Sequence, residues 1–104
     1  MIVCNLTIKV QSSLAGQWLE WALQEHIPAM LATGLFKGYR LHRLLDQDES
    51  EGPTFVLQLH ASSIDEYQHY RDRFAPALQQ DALDKWGAGF IAFRTVMEWI
   101  SPLE

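Results

Sequence analysis

Six side chains that can bind an anion or move a proton fall within alternating, largely apolar segments of this 104-residue chain. They are Asn5, Arg40, His42, Gln58, His60 and Arg94. A neutral imidazole accepts a proton, an arginine guanidinium binds a carboxylate or phosphate through two parallel hydrogen bonds, and side-chain amides orient a ligand. We therefore predict catalytic roles for His42 and His60, and ligand-binding roles for the other four residues.

Four segments with alternating apolar side chains must position these residues. The alternation predicts β-strands at residues 2–10, 35–45, 54–61 and 89–100. The acidic segment 46–52 joins the second and third strands, which we expect to form a hairpin. Such a hairpin allows Arg40 to face His60 and His42 to face Gln58. A neighbouring arginine would lower the pKa of a histidine and keep the imidazole neutral.

Two prolines, Pro28 and Pro76, divide the helical segments between the strands. Apolar residues at helical spacing predict a first helix that ends near His26. Ser63 and Glu66 have the spacing of a capping box and predict the start of another helix. Because a proline inside a helix clashes with the preceding turn, each proline is expected in the first turn of a further helix.

The elements follow each other in the order strand, helix, strand, strand, helix, strand. Two right-handed crossovers on one antiparallel sheet give the ferredoxin-like, or split βαβ, arrangement of the α+β class. We expect residues 1–104 to form one domain, with helices on one face of the four-stranded sheet. We call the opposite, uncovered surface of the sheet the bare face.

The alternation also predicts which side chains occupy the bare face. From the first and third strands they are Val3, Asn5, Thr7, Thr54, Val56, Gln58 and His60. From the second and fourth strands we place there Phe36, Gly38, Arg40, His42, Leu44, Phe90, Ala92, Arg94, Val96 and Glu98. The fourth strand is apolar on both sides, so its alternation leaves the parity open. The opposite parity would turn Arg94 toward the helices, where Glu25 is an available partner.

The predicted bare face mixes apolar, cationic and amide side chains. A solvated face would carry fewer apolar residues, whereas the core of a monomer would not carry arginines and histidines. A mixed face of this kind is typical of a sheet that packs against a second copy and encloses a cavity with convergent polar groups. The alternative is that the polar side chains only form hydrogen bonds and ion pairs between the two subunits. Both interpretations predict a homodimer.

His26 has a structural and a functional interpretation. At the end of the first predicted helix, a positive charge would interact favourably with the helix dipole. Since Pro28 redirects the chain at the edge of the sheet, His26 could instead lean over the mouth of a pocket. We include His26 among the candidate ligand-binding residues.

The composition argues against several classes of function. A formal net charge of −5 disfavours non-specific binding to nucleic acid or to an anionic membrane surface. A single cysteine, Cys4, cannot form an internal disulfide, and no Cys/His spacing indicates a metal site. The chain contains no G-x-G-x-x-G motif or P-loop, so no nucleotide cofactor is expected. Without a recognisable targeting or membrane-spanning segment, the expected location is the cytoplasm.

Nearly the full chain resembles a family of short bacterial proteins described only as a domain of unknown function. The resemblance rests on residues 18–41 and 74–100, which contain the patterns W-x-x-W, H-I-P, T-G-x-F and A-F-R-T. The order of elements and the half-polar sheet are similar to the dimeric α+β barrel superfamily. That superfamily includes antibiotic-biosynthesis monooxygenases, haem-degrading monooxygenases and muconolactone isomerase-like proteins. The resemblance implies two sheets packed face to face with a pocket in each half, and it implies no particular activity.

Three functional hypotheses follow from the residues and the resemblance. The first is a small-molecule pocket on the bare face, acting as a cofactor-independent monooxygenase or isomerase on a hydrophobic, partly anionic compound. The second is a non-catalytic homodimer with a structural or partner-binding role. Haem degradation is a third, because that branch of the superfamily uses a first-strand asparagine and a helical histidine, which Asn5 and His69 resemble. Its tryptophan has no clear counterpart on the predicted bare face.

Overall fold

A computed structural model describes residues 1–102 and contains one four-stranded sheet with the strand order β2-β3-β1-β4. All neighbouring strands are antiparallel. The strands are β1 (Ile2–Val10), β2 (Gly38–Arg43), β3 (Thr54–Ala61) and β4 (Phe90–Glu98). The central strands β1 and β3 have the predicted bounds, and the predicted α+β, ferredoxin-like fold is confirmed.

The helices between the strands pack against one face of the sheet. They are α1 (Ala15–Trp21), a π-helical segment (Ala22–His26), α2 (Ile27–Leu31), α3 (Ile64–Arg73), α4 (Ala75–Trp86) and a 3₁₀ turn (Gly87–Gly89). Their apolar side chains bury the odd-numbered residues of β3, from Phe55 to Ala61. Trp18 of α1, for example, stacks on Phe55 with ring centroids 5.2 Å apart.

The first helical run widens at its predicted boundary and then continues. Pro28 cannot donate a backbone hydrogen bond, and its ring would clash with the carbonyl one turn earlier in a regular α-helix. The chain avoids this clash through the π-helical segment, in which the Ile27 amide bonds to the Ala22 carbonyl, five residues earlier. The first predicted helix thus ends at His26, and α2 begins at Ile27 with Pro28 in its first turn, as predicted, although the backbone stays helical across this boundary.

The third and fourth helices begin as predicted. The side chain of Ser63 accepts a hydrogen bond of 3.2 Å from the Glu66 amide and caps α3. Pro76 lies in the first turn of α4, where its missing N–H has no intrahelical partner to lose.

The predicted parity of the fourth strand is wrong. Arg94 pairs with Leu6 across β1 and β4, and Leu6 is on the helix side of the sheet. Phe90, Ala92, Val96 and Glu98 lie on the helix side with Arg94, whereas Ile91, Phe93, Thr95 and Met97 belong to the bare face. The alternation was uninformative because β4 is an edge strand that is exposed from residue 91 to residue 98, on both faces.

Phe36 was also assigned to the wrong face. It lies before β2 and is buried against Tyr70 of α3, with ring centroids 4.7 Å apart. The predicted second strand was too long, since residues 35–37 leave the regular alternation before the strand begins.

The register of the hairpin differs from the predicted pairs by two residues. Arg40 faces Gln58, His42 faces Val56, and His60 faces Gly38. A shift of two residues leaves every side chain on its predicted face, so alternation cannot detect it. The register depends instead on the connecting segment, which folds back with a bidentate contact between Arg43 and Glu49.

This connecting segment returns to the sheet through a close backbone contact at Gly52. Gly52 has φ 141°, and an added Cβ would lie 1.8 Å from the Val10 carbonyl oxygen. The Val10 amide donates to the Pro53 carbonyl at 3.1 Å, which holds the two backbones together. Only glycine fits this position without moving the end of β1.

We predict that Gly52→Ala lowers the free energy of unfolding by about 1–3 kcal/mol, because a side chain there meets both a backbone atom and a strained φ. Gly16→Ala is the matched control, since Gly16 lies in α1 with no atom within 4 Å of the added Cβ. Gly16→Ala should raise stability by roughly 0.5–1 kcal/mol. Urea unfolding at one protein concentration measures both changes, and a Gly52→Ala variant as stable as the parent would contradict the close contact.

Candidate functional site

A cavity of about 350 Å³ lies between the helices and the sheet, on the side opposite the bare face. Its floor consists of helix-side strand residues, chiefly Cys4, Leu6, Ile8 and Leu57. Trp18, Trp21, Met30 and Ala82 contribute to its helical walls. The volume falls within the range of about 300–1,000 Å³ that is common for small-molecule sites.

Five polar or titratable side chains border this otherwise apolar cavity. They are Cys4, His26, Tyr70, Gln79 and Arg94. Aspartate and glutamate are absent from the lining contributed by residues 1–102. The polar lining contributed by these residues therefore includes one cation and no carboxylate, and its hydroxyl, thiol and amide can each donate a hydrogen bond.

His26 stacks on the indole of Trp21, with ring centroids 4.4 Å apart. Burial lowers the pKa of His26 to about 4, and the nearby carboxylate of Asp81 opposes this shift only in part. The imidazole is therefore neutral at neutral pH and can accept a proton from a molecule in the cavity.

Cys4 and Tyr70 border the cavity as protonated groups. Burial raises the pKa of the Cys4 thiol to about 11, although the positive charge of Arg94 acts in the opposite direction. Burial also raises the pKa of the Tyr70 hydroxyl, and Arg94 again opposes the shift. The Tyr70 side chain is only 3% exposed and borders the cavity.

Arg94 lies on β4, where the cavity opens between this strand and α4. It is exposed, and no carboxylate of residues 1–102, Glu25 included, forms an ion pair with it. The sequence placed Arg94 on the bare face, but the structure brings it together with His26 at the helix-side cavity.

Four of the other predicted site residues form a connected patch on the bare face. Arg40, Gln58 and Asn5 face each other across β2, β3 and β1. The Gln58 amide donates to the Asn5 carbonyl oxygen at 3.4 Å, and the Asn5 amide donates to the Thr7 hydroxyl at 3.3 Å. His60 lies one row further along the same face.

The two histidines of the bare face differ in their surroundings. The pKa of His60 is lowered, first by burial and second by the charge of Arg40. Its Nε2 atom is buried without a hydrogen-bond partner in the described residues, and the Trp99 ring lies 6.1 Å away between centroids. His42 is exposed and faces Val56, so it does not join the hydrogen-bonded patch.

The predicted site residues thus fall into two groups on opposite faces of the sheet. The sequence interpretation did not include Tyr70, Gln79 or Cys4 among the site residues. Tyr70 occurs three residues after Tyr67 on the buried stripe of α3, where an aromatic residue ordinarily signals packing. Its hydroxyl was the available signal, because a buried tyrosine usually has a partner for that group.

Between residues 1 and 102, no three His, Cys, Asp or Glu side chains lie close enough to share a metal ion. None of the helices in this range is both long and apolar enough to cross a lipid bilayer.

Comparison with known proteins places the chain in a family. The family described as "Domain of unknown function (DUF4286)" matches residues 1–100, so the chain belongs to it. No curated protein matches the sequence significantly.

Solved structures with the same fold cover almost the whole chain. An ethyl tert-butyl ether d (EthD) family protein from Bacillus halodurans has a TM-score of 0.71 at 15% identity, covering 96% of this chain and 100% of its own. A proposed antibiotic biosynthesis monooxygenase from Nitrosomonas europaea has a TM-score of 0.67 at 12% identity, covering 96% and 99%. A protein described as a dimeric ferredoxin-like protein, from an uncultured marine organism, has a TM-score of 0.68 at 12% identity, covering 100% and 99%. These structures, at 12–15% identity, show that the chain shares their fold.

The burial of His26 predicts that the protein loses stability as the pH falls from about 6.5 to 4. An unfolded histidine has a pKa of about 6.5, and folded His26 has a pKa of about 4, so the unfolded chain binds more protons in this window. The contribution of neutral His26 to the free energy of unfolding is fully present above the pKa of the unfolded histidine. About 3 kcal/mol of it is lost as the pH falls to the pKa of folded His26.

Urea unfolding across this pH range tests the contribution of His26. His26→Gln should flatten the loss between pH 6.5 and 4, because glutamine does not titrate. His69→Gln, at an exposed position of α3, should keep the slope of the parent. Superimposable profiles for His26→Gln and the parent would contradict the prediction.

Proposed function

We propose that this DUF4286 protein binds a small, largely apolar molecule in the helix-side cavity and that it acts as a homodimer through its bare face. The observation that carries the ligand proposal is an apolar cavity of about 350 Å³ bordered by a neutral histidine and an arginine. Protein interiors are packed as closely as organic crystals and leave few voids larger than a water molecule. A space of this size in so small a core favours a ligand over a packing defect.

The neutral imidazole of His26 supports proton transfer to or from the bound molecule. With a pKa of about 4 it is a weak base, so proton transfer from an activated C–H or a phenolic O–H, the first step of an isomerisation or of an oxygenation without cofactor, depends on stabilisation of the anion that forms. The negative charge that develops on the molecule would be stabilised by Arg94 at the cavity mouth. Cofactor-independent monooxygenase or isomerase chemistry is thus the activity we propose, with the site on the helix side of the sheet.

The homodimer proposal rests on the bare face of β4. Its exposed apolar residues include Ile91 at 59%, Phe93 at 67% and Met97 at 41% exposure. On the neighbouring strand β1, Val3 pairs with Met97, so the apolar surface continues from β4 onto β1 at this point. Extended apolar patches of this kind are typical of protein interfaces. The dimeric ferredoxin-like protein of similar fold supports a second copy as the partner.

The ligand proposal predicts that filling the cavity abolishes binding. Ala82 lines the cavity and is buried, so Ala82→Phe should place its ring in the space of the ligand. We expect the parent to bind octanol, with a change in tryptophan fluorescence because Trp18 and Trp21 border the cavity. Ala82→Phe should weaken binding at least about tenfold, which corresponds to roughly 1.4 kcal/mol.

Ala77→Phe is the matched control for this experiment. Ala77 lies on the same helix but is exposed and does not border the cavity. The control should bind octanol like the parent. Equal binding by Ala82→Phe, or no binding by the parent, would contradict a ligand site in this cavity and favour the non-catalytic dimer.

The dimer proposal predicts that Phe93→Asp produces a monomer. A carboxylate buried at an apolar interface without a partner is costly, whereas it is well solvated on a free monomer. Ile64→Asp is the control, because Ile64 is 44% exposed at the start of α3, where a negative charge is favourable. Sedimentation velocity should show a dimer for the parent and control. A Phe93→Asp variant that remains dimeric would exclude this interface.

A further inference from the structure

We infer that the ligand carries one anionic group, a carboxylate or a phenolate, which binds between the Tyr70 hydroxyl and the Arg94 guanidinium, with the apolar body of the ligand along β1 toward Ile8. This inference rests on the proposed function, and it names the chemical class and the orientation of the molecule in the helix-side cavity.

Tyr70 provides the first observation. Its side chain is only 3% exposed and borders the cavity. Burial raises the pKa of the Tyr70 hydroxyl, so the group keeps its proton at neutral pH. It can therefore donate a hydrogen bond to an acceptor atom of a ligand in the cavity.

Arg94 provides the second, independent observation. No carboxylate in the described part of the chain forms an ion pair with it, although the chain carries 13 acidic residues and only eight lysines and arginines. The lining of the cavity contributed by the described residues includes no aspartate or glutamate. A ligand anion is the partner that this arginine lacks, since an arginine–carboxylate pair forms two parallel hydrogen bonds.

Arg94 and Tyr70 border the same cavity, and Arg94 pairs with Leu6, two residues from Cys4 on the same face of β1. The positive charge of Arg94 opposes the raised pKa of both Cys4 and Tyr70, which agrees with this placement. Cys4 begins the cavity floor, and its thiol is a further weak donor at this end. An anion here would therefore meet a cation and two neutral donors, and no group of the same sign.

The opposite end of the floor is apolar and defines the orientation of the ligand. Ile8 lies beside Phe55 on β3, and Trp18 stacks on Phe55. At a strand rise of 3.3 Å per residue, the floor from Cys4 to Ile8 is about 13 Å long. A short alkyl chain or an aromatic ring system lies along such a floor, with its acidic end at Tyr70 and Arg94.

Octanoate and octanol test this inference, because they share one chain and differ in the charged group. Titration at pH 7.5 should show octanoate binding to the parent at least about tenfold more tightly than octanol, the usual effect of a hydrogen bond to a charged group. Arg94→Gln should remove the preference for octanoate while octanol binding remains. Tyr70→Phe, which keeps the packed ring, should reduce the preference for octanoate several-fold. Arg73→Gln, at an exposed position of α3 outside the cavity, should leave that preference unchanged.

The outcomes separate this inference from the proposal on which it rests. Equal binding of the two compounds, or a preference that survives Arg94→Gln, overturns the anionic ligand and leaves a cavity for a neutral molecule. Preferential binding of octanol overturns it as well. If neither compound binds to the parent, the ligand site and the inference both fail.

Discussion

The pairing of β1 with β3 and β4 is the constraint on which the whole arrangement depends. The even-numbered residues of β1 form the floor of the cavity, and its odd-numbered residues lie at the centre of the bare face. Pairing with β1 fixes which side chains of β3 and β4 lie on each face of the sheet. The register between Leu6 and Arg94 therefore decides whether the arginine borders the cavity or joins the amides on the bare face.

Burial explains which parts of the fold were predictable from the sequence. β1 and β3 have one face against the helices, so their alternation is strong and both their bounds and faces follow from it. β4 is exposed along most of its length, so its pattern of apolar and polar residues does not indicate which face contacts the core. The predicted pairing of Arg40 with His60 was wrong for another reason. A register shift of two residues keeps all side chains on their faces, so the alternation cannot reveal it.

The candidate site was less predictable than the fold because a cavity is an absence of side-chain volume. Periodicity marks the residues that face the core, but it does not show where their packing is incomplete. Tyr70 occupies a position expected for a packing residue, and only the space around its hydroxyl distinguishes it. His26 was among the candidate ligand-binding residues, but its environment depends on a widened helical turn that no residue pattern indicates.

That widened turn has a consequence for how the chain tolerates change in length. A π-helical turn holds one residue more than an α-helical turn, so it displaces all later side chains by about 100° around the helix axis. Ile27 and Met30 are buried in the core beyond this turn. Residues 23–25 are exposed, and deletion of one of them would leave a regular α-helical turn in which Ile27 and Met30 keep their orientation toward the sheet. The Pro28 ring would then clash with the carbonyl one turn earlier, so the proline and not the number of residues requires the wide turn.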